Sequence, residues 1–228
     1  MSIVRLYVVE YCNFNTQAAY NPSLSAEGFK QGGLGDGVSS VNYNDWTSFN
    51  GVNPLVPCGI TKSLVNETGI IDFKYEATEF GTNAVTLHVP SYRGIENPFA
   101  HIWKWTDGLN VNTVDNITSV YTCNDITKFA DDTANNYQLR AEFNTPANGY
   151  IKTWNWDENG DFIPTSTGGS ASSYLYDYSY WNTGWRVLNS GGSADVGAGC
   201  GWFCFYAYSG SGLASAGVGG RLYYTPSE

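Results

Sequence analysis

The 228-residue chain holds two histidines, His88 and His101, and five cysteines, Cys12, Cys58, Cys123, Cys200 and Cys204. These residues bound its chemistry. Two imidazoles exclude a His-rich metal centre and leave little for a Ser-His-Asp relay. No Gly-x-Ser-x-Gly elbow lies in a strand–turn–helix setting. Cys200 and Cys204 stand four residues apart, which in one strand separates their Cα atoms by about 13 Å at roughly 3.3 Å per residue. A disulfide spans at most about 7 Å, and joint metal ligation would require the strand to bend. An odd, scattered set of thiols fits reduced, mostly buried cysteines. Asp157-Glu158-Asn159-Gly160-Asp161 opens like a calcium loop, but Phe162 occupies the position that needs glycine and no bidentate Glu follows at the right distance. A hairpin turn is the better reading. Gly32-Gly33-Leu34-Gly35-Asp36-Gly37 lacks the spacing and context of a dinucleotide loop. A pair of carboxylates brought together in space for glycoside hydrolysis is left open by linear spacing. The expectation is a protein that is not an enzyme, with no cofactor and no metal.

Composition points toward contact-making. Charged residues are 14% of the chain and aromatics 16%, with 17 Tyr, 8 Trp and 26 Gly. Tyr and Trp supply large contact area at low conformational cost, and Gly, Ser and Asn supply adaptable hydrogen bonding. The net charge is −10, and no cluster of Lys or Arg offers the counter-charge that a phosphate backbone needs. Nucleic acid is therefore not an expected partner. No apolar run approaches the roughly 20 residues that span a bilayer, so membrane insertion is not expected either. The opening residues lack the apolar stretch and cleavage site of a signal peptide, which predicts synthesis in a cytoplasm.

The elements that must position these side chains are short. Residues 3–20 predict an amphipathic helix stopped by Asn21-Pro22, or, given the β-branched early positions, a strand leading into a short helix, and residues 23–53 a loop-rich arm. Ile70–Phe73 and Ala84–Val89 read as strands, the second ending at Pro90. Thr106-Asp107-Gly108 reads as a turn, Tyr150–Phe162 as a hairpin with Asn159-Gly160 at its tip, and Thr165–Ser173 as a loop. Trp185–Leu188, Gly201–Tyr208 and Gly220–Tyr224 are the strand candidates of the tail. In the middle one, Gly201, Phe203, Phe205 and Ala207 alternate with Trp202, Cys204, Tyr206 and Tyr208, so the two sets face opposite ways. The first set suits a packed face. The second is either a binding surface or a second buried face.

Trp185-Arg186-Val187-Leu188, Gly191-Gly192-Ser193, the aromatic strand and Gly219-Gly220-Arg221-Leu222 together resemble the C-terminal signature of C-type-lectin-like proteins. The branch in question holds the sulfatase-modifying (formylglycine-generating) family and the variable proteins of diversity-generating retroelements. Tyr92-Arg93-Gly94-Ile95-Glu96-Asn97-Pro98-Phe99, with Trp103-Lys104-Trp105 and Asp107-Gly108, resembles the block that precedes that tail, except that His101 replaces an expected Asn. The combination is most similar to structural, fibre and head-decoration proteins of crAss-like and related phages of Bacteroidota. The resemblance implies an α+β, C-type-lectin-like fold with short strands, few helices and long loops over residues 90–228. Residues 1–89 then form a helix and a loop-rich arm, anchoring or oligomerising and integrated with the core.

It further implies ligand-facing roles for Asp195, Trp202, Tyr206, Tyr208 and Ser211, and scaffold roles for Gly192, Ser193, Phe203, Phe205, Gly219, Arg221 and Leu222. The function expected is that of a virion surface or fibre protein binding a host glycan or receptor. The alternatives are a capsid or tail decoration protein that uses the same face for subunit contacts, and a formylglycine-generating-like copper oxidase at Cys200 and Cys204. In that family the cysteine pair sits closer to the Gly-Gly-Ser turn and is more widely spaced, which weighs against the last. The expected partners are other virion proteins, a host cell-surface glycan or receptor, and further copies of the chain, with the protein located in the virion.

Overall fold

The computed structural model describes residues 70–75, 85–92, 95–99, 102–156, 162–170, 177–193, 196, 199–215 and 217–220, with only the backbone described for 70–75, 85–92 and 156. The helix expected over residues 3–20 and the arm over 23–53 lie outside these residues. So do Asn159-Gly160, Asp195, Arg221 and Leu222. Among the described residues the only helix is one 3-10 turn, Ile126–Lys128, and the architecture is mostly strand.

Strands β1 (Ile70–Tyr75), β2 (Val85–Tyr92) and β3 (Ile95–Glu96) form a small antiparallel sheet in that order. β2 does not end at Pro90. It runs on to Tyr92, across the expected boundary at 89/90, because Pro90 lies where β2 leaves β1 and takes up β3: Ile70 faces Pro90, and Ser91 faces Glu96. A proline lacks the N–H for a continuous ladder and is tolerated at such a changeover.

The other nine strands make one sheet. They are β4 (Trp103–Val114), β5 (Ile117–Thr122), β6 (Gln138–Asn144), β7 (Gly149–Trp156), β8 (Phe162–Thr167), β9 (Tyr178–Trp181), β10 (Gly184–Gly191), β11 (Gly201–Ala207) and β12 (Val218–Gly219). Their order is β6-β5-β4-β10-β11-β9-β7-β8, with β12 also beside β4. All pairs are antiparallel except β11 with β9 and β12 with β4. The sheet curls until β8 comes against β6, so it is nearly closed. The Phe143 ring of β6 meets Trp181 of β9 across the interior at 5.6 Å.

Local chemistry explains several joints. Asp115 and Asn116 hold φ of 49° and 62°, the two-residue left-handed loop that matches strand twist, and β4 and β5 pair from Val114↔Ile117 onward. The expected turn at Thr106-Asp107-Gly108 is instead a bulge inside β4. Pairing with β10 jumps from Leu188↔Thr106 to Val187↔Asn110. Gly108 takes φ +75°, and a Cβ there would crowd the Cys123 carbonyl and the Phe129 ring. A Gly at positive φ serves a bulge as readily as a turn. Likewise, Thr165–Thr167 extends β8 rather than opening a loop. The hairpin expected over Tyr150–Phe162 is present as β7 and β8, paired from Trp156↔Phe162.

The interior holds Val111, Val120, Ile163, Trp181, Leu188, Phe205 and Ala207, with Leu109, Ala141 and Phe143 against them. Trp181 stacks on Phe205 at 4.9 Å, and its indole N–H donates to Ser179 Oγ at 3.2 Å. At the start of β11 the buried Asp177 carboxylate accepts the Phe203 N–H at 2.6 Å. A Cβ on Gly201 would overlap that carboxylate. Gly201→Ala is therefore expected to lower stability by about 1–3 kcal/mol through overpacking, read as a lower urea midpoint at unchanged slope.

Candidate functional site

The candidate site lies on the outer face of the nine-stranded sheet, where alternation brings six aromatic side chains together. Tyr150 faces Tyr178 across β7 and β9, and Tyr180 faces Tyr206 across β9 and β11. Register partners and residues two apart share a sheet face. Tyr206 in turn faces Asn189, and Asn189 faces Trp105, which places Trp103, two residues earlier, on that same side. Ser179, Trp181 and Phe205 point the other way, into the core.

The rings form a continuous ribbon. Centroids are 5.1 Å apart for Tyr150–Tyr178, 4.5 Å for Tyr178–Tyr180, 5.1 Å for Tyr180–Tyr206 and 5.9 Å for Tyr206–Tyr208. Trp103 lies 4.6 Å from Tyr206 and 5.9 Å from Tyr180. These tilted and edge-on geometries suit the ring quadrupole. Trp103 is buried, Tyr150, Tyr178, Tyr180 and Tyr206 are half-buried, and Tyr208 is 44% exposed. The Ser209 hydroxyl donates to the Tyr206 hydroxyl at 3.2 Å. Behind the rings, Asn189 is fully buried and neither atom of its amide has a hydrogen-bond partner.

The expected site residues divide. Tyr206 and Tyr208 belong to the ribbon. Trp202 is half-buried with its ring edge-on to Phe99 at 6.3 Å. Ser211 donates to Asp132 Oδ2 at 2.7 Å and lines a separate small polar cleft with Trp105, Asp107 and Asp131. There the Asp131 carboxyl is raised above its ordinary range by burial and by the neighbouring Asp132 and Asp107 carboxylates. Phe203 and Phe205 are buried, and Gly192 holds φ +78° where a Cβ would strike the Cys200 sulfur. Ser193 is buried and its carbonyl accepts from the Cys200 thiol at 2.9 Å. Gly219 pairs with Lys104.

Tyr150, Tyr178, Tyr180 and Trp103 were not expected. The alternation Tyr174-Leu175-Tyr176-Asp177-Tyr178-Ser179-Tyr180 carries a period-2 aromatic pattern that marks a strand with one ring-bearing face. Trp103-Lys104-Trp105 carries a shorter alternation of the same kind, and β10, lying between β4 and β11, sets Trp103 beside Tyr206.

Cysteine chemistry at the tail is subdued. Cys204 lies in the outward row of β11 yet is buried, as are Cys200 and Cys123. Burial, reinforced by Cys200 and Asp177, pushes the Cys204 thiol well above its ordinary value of 9.0. A thiol held protonated is a poor nucleophile and a poor metal ligand. Among the described residues, no three His, Cys, Asp or Glu side chains gather where a metal could sit. What the ribbon offers is stacking area and phenolic hydroxyls. No family model, curated protein or solved structure matches the chain.

The raised thiol has a signed consequence for stability. A folded-state value above the unfolded one stabilises fully below about pH 9 and is lost as pH rises through that range. The Tyr150 phenol, raised from 10.0 first by burial and then by Tyr178 and Cys200, adds to the loss at higher pH. Urea midpoints are therefore expected to hold between pH 6 and 8, in roughly the neutral range where neither group titrates, and to fall above it. Cys204→Ala should flatten the first part of that fall.

Proposed function

We propose that this chain is a non-enzymatic binding protein of a phage virion surface, and that it holds a host-cell glycan against its tyrosine ribbon. The observation that carries the reading is the ribbon itself: five tyrosines and a tryptophan in ring-to-ring contact across four strands, opposite the core face. Aromatic faces stack on the apolar faces of sugar rings, while phenolic hydroxyls bond sugar hydroxyls. Each contact is weak, and repetition on a particle supplies avidity.

The C-type-lectin-like reading and the virion location belong to this proposal. In its support, the two sequence blocks that carry the resemblance pair with one another. Leu188, Asn189 and Ser190 face Thr106, Trp105 and Lys104, and Gly219 faces Lys104. A Cβ at Gly191 would press on Phe99, so the Gly-Gly-Ser turn sits against the Ile95–Phe99 segment. The small fraction of charged residues, 14%, suits an uncharged glycan.

A second reading, subunit contact within a virion, is favoured by apolar side chains that stand open: Ile126 at 77%, Val114 at 56% and Leu139 at 54% exposure. Truncation separates the two. Tyr208→Ala and Tyr206→Ala are expected to weaken binding to host cells or extracted surface glycans by about tenfold, near 1.4 kcal/mol, with an unchanged scattering mass. A fall in scattering mass with cell binding retained, in these variants or in Ile126→Ser and Leu139→Ser, would establish the subunit-contact reading instead.

A further inference from the structure

We infer that the open end of the nearly closed sheet, on the face opposite the tyrosine ribbon, is a binding site for a small uncharged molecule with an apolar ring or chain and one or two oxygen functions. The cleft there is about 240 Å³ in volume. It is independent of the glycan reading, since no ribbon ring lines it: its wall is the core-facing row, joined by Trp202 and Cys204 where β11 loses step with β10.

Three breaks in strand register converge on it. β10 loses step with β4 between Val187 and Leu188, leaving Asp107, Gly108 and Leu109 unmatched. β10 loses step with β11 between Ser190 and Gly191, leaving Trp202, Phe203 and Cys204 unmatched. β5 loses step with β6 between Val120 and Tyr121, leaving Arg140 unmatched. Leu109 and the whole 202–204 segment line the cleft. Arg140 reaches it through its Nε–H, which donates at 2.8 Å to the hydroxyl of Thr122, another lining residue. Bulges re-aim side chains and concentrate beside functional sites, and barrel mouths are favoured places for small-molecule pockets.

The chemistry of the lining selects the ligand class. Leu188, Phe205, Phe162 and Phe203 give an apolar, ring-rich wall. Thr106 Oγ1 and Ser190 Oγ lie 3.3 Å apart on neighbouring strands, a pair of hydroxyls that can share one ligand oxygen. Among the described residues no carboxylate or ammonium lines the cleft, and the Arg140 guanidinium stands behind the Thr122 hydroxyl that it bonds, so a charged ligand would be desolvated there without a direct counter-charge. An apolar cavity of about 150 Å³ takes benzene, and scaling by volume gives room for roughly ten non-hydrogen atoms.

The test uses the full chain and two probes of matched shape, 2-phenylethanol and ethylbenzene, followed by methyl and amide NMR. The site predicts saturable 2-phenylethanol binding with a Kd of about 1 mM or tighter, with shifts at Leu109, Ile163 and Leu188 and none at Tyr178 or Tyr208. Thr106→Val and Ser190→Ala, which keep or slightly reduce side-chain volume, are expected to weaken the alcohol by roughly three- to tenfold. Ethylbenzene should be unaffected, and its retained binding shows the variants folded. Shifts confined to the ribbon tyrosines, no saturation in the wild type, or equal loss of both probes would each overturn the assignment.

Discussion

Asp177 is the residue on which this sheet turns. Its carboxylate accepts the Phe203 N–H at 2.6 Å, and its backbone carbonyl accepts the Ile151 N–H at 3.0 Å. One buried residue, just before β9, thus ties β7 to β11. A carboxylate taken out of water is tolerated only where such donors meet it, and the absence of a side chain on Gly201 lets it approach. The bond also sets the phase of β11. With Phe203 held there, Phe205 and Ala207 fall into the core and Tyr206 falls outward. A slip of one residue would exchange the two rows, burying tyrosine hydroxyls and exposing phenylalanines.

From that phase follow two surfaces of different character on one sheet. The outer row assembles tyrosines from β7, β9 and β11 with Trp103 of β4, because each pair sits in register. The inner row packs Trp181 on Phe205 and closes against β6 through Phe143. β10 lies between β4 and β11, and its register breaks with both open the inner packing at one end. The same strand therefore holds Asn189 behind the ribbon and Leu188 and Ser190 along the cleft. The β4–β5 hairpin stays in register throughout, whereas β7 and β8 also lose step, between Ile151 and Trp154.

Much of this was legible in the residues. The alternation of Gly201–Tyr208 predicted a strand with one packed and one aromatic face, and the structure places it so, with Cys204 the exception: it lies in the aromatic row and is nonetheless buried. Strands at Ile70–Phe73, Trp185–Leu188 and Tyr150–Phe162 were readable from β-branched and aromatic runs. β3, β4, β5, β6, β9 and β12 were not read. Ile117–Thr122 and Gln138–Asn144 carry several polar residues, and Tyr178–Trp181 is only four residues long, so each leaves a weak pattern. Asp107-Gly108 misled because turn and bulge share the same demand for a left-handed glycine.

The sequence by itself determined the low charge, the scarcity of imidazole, the buried-thiol character and the two-sided aromatic strand, since these depend only on residue type and on the two-residue period of extended chain. Tertiary structure alone decided which rings meet. Tyr150, Tyr178, Tyr206 and Trp103 are separated by tens of residues, and only the register across four strands brings their centroids within about 6 Å, the reach of aromatic pairing. It alone also decided where the register fails, because a bulge is a mismatch between two strands and neither strand shows it in isolation.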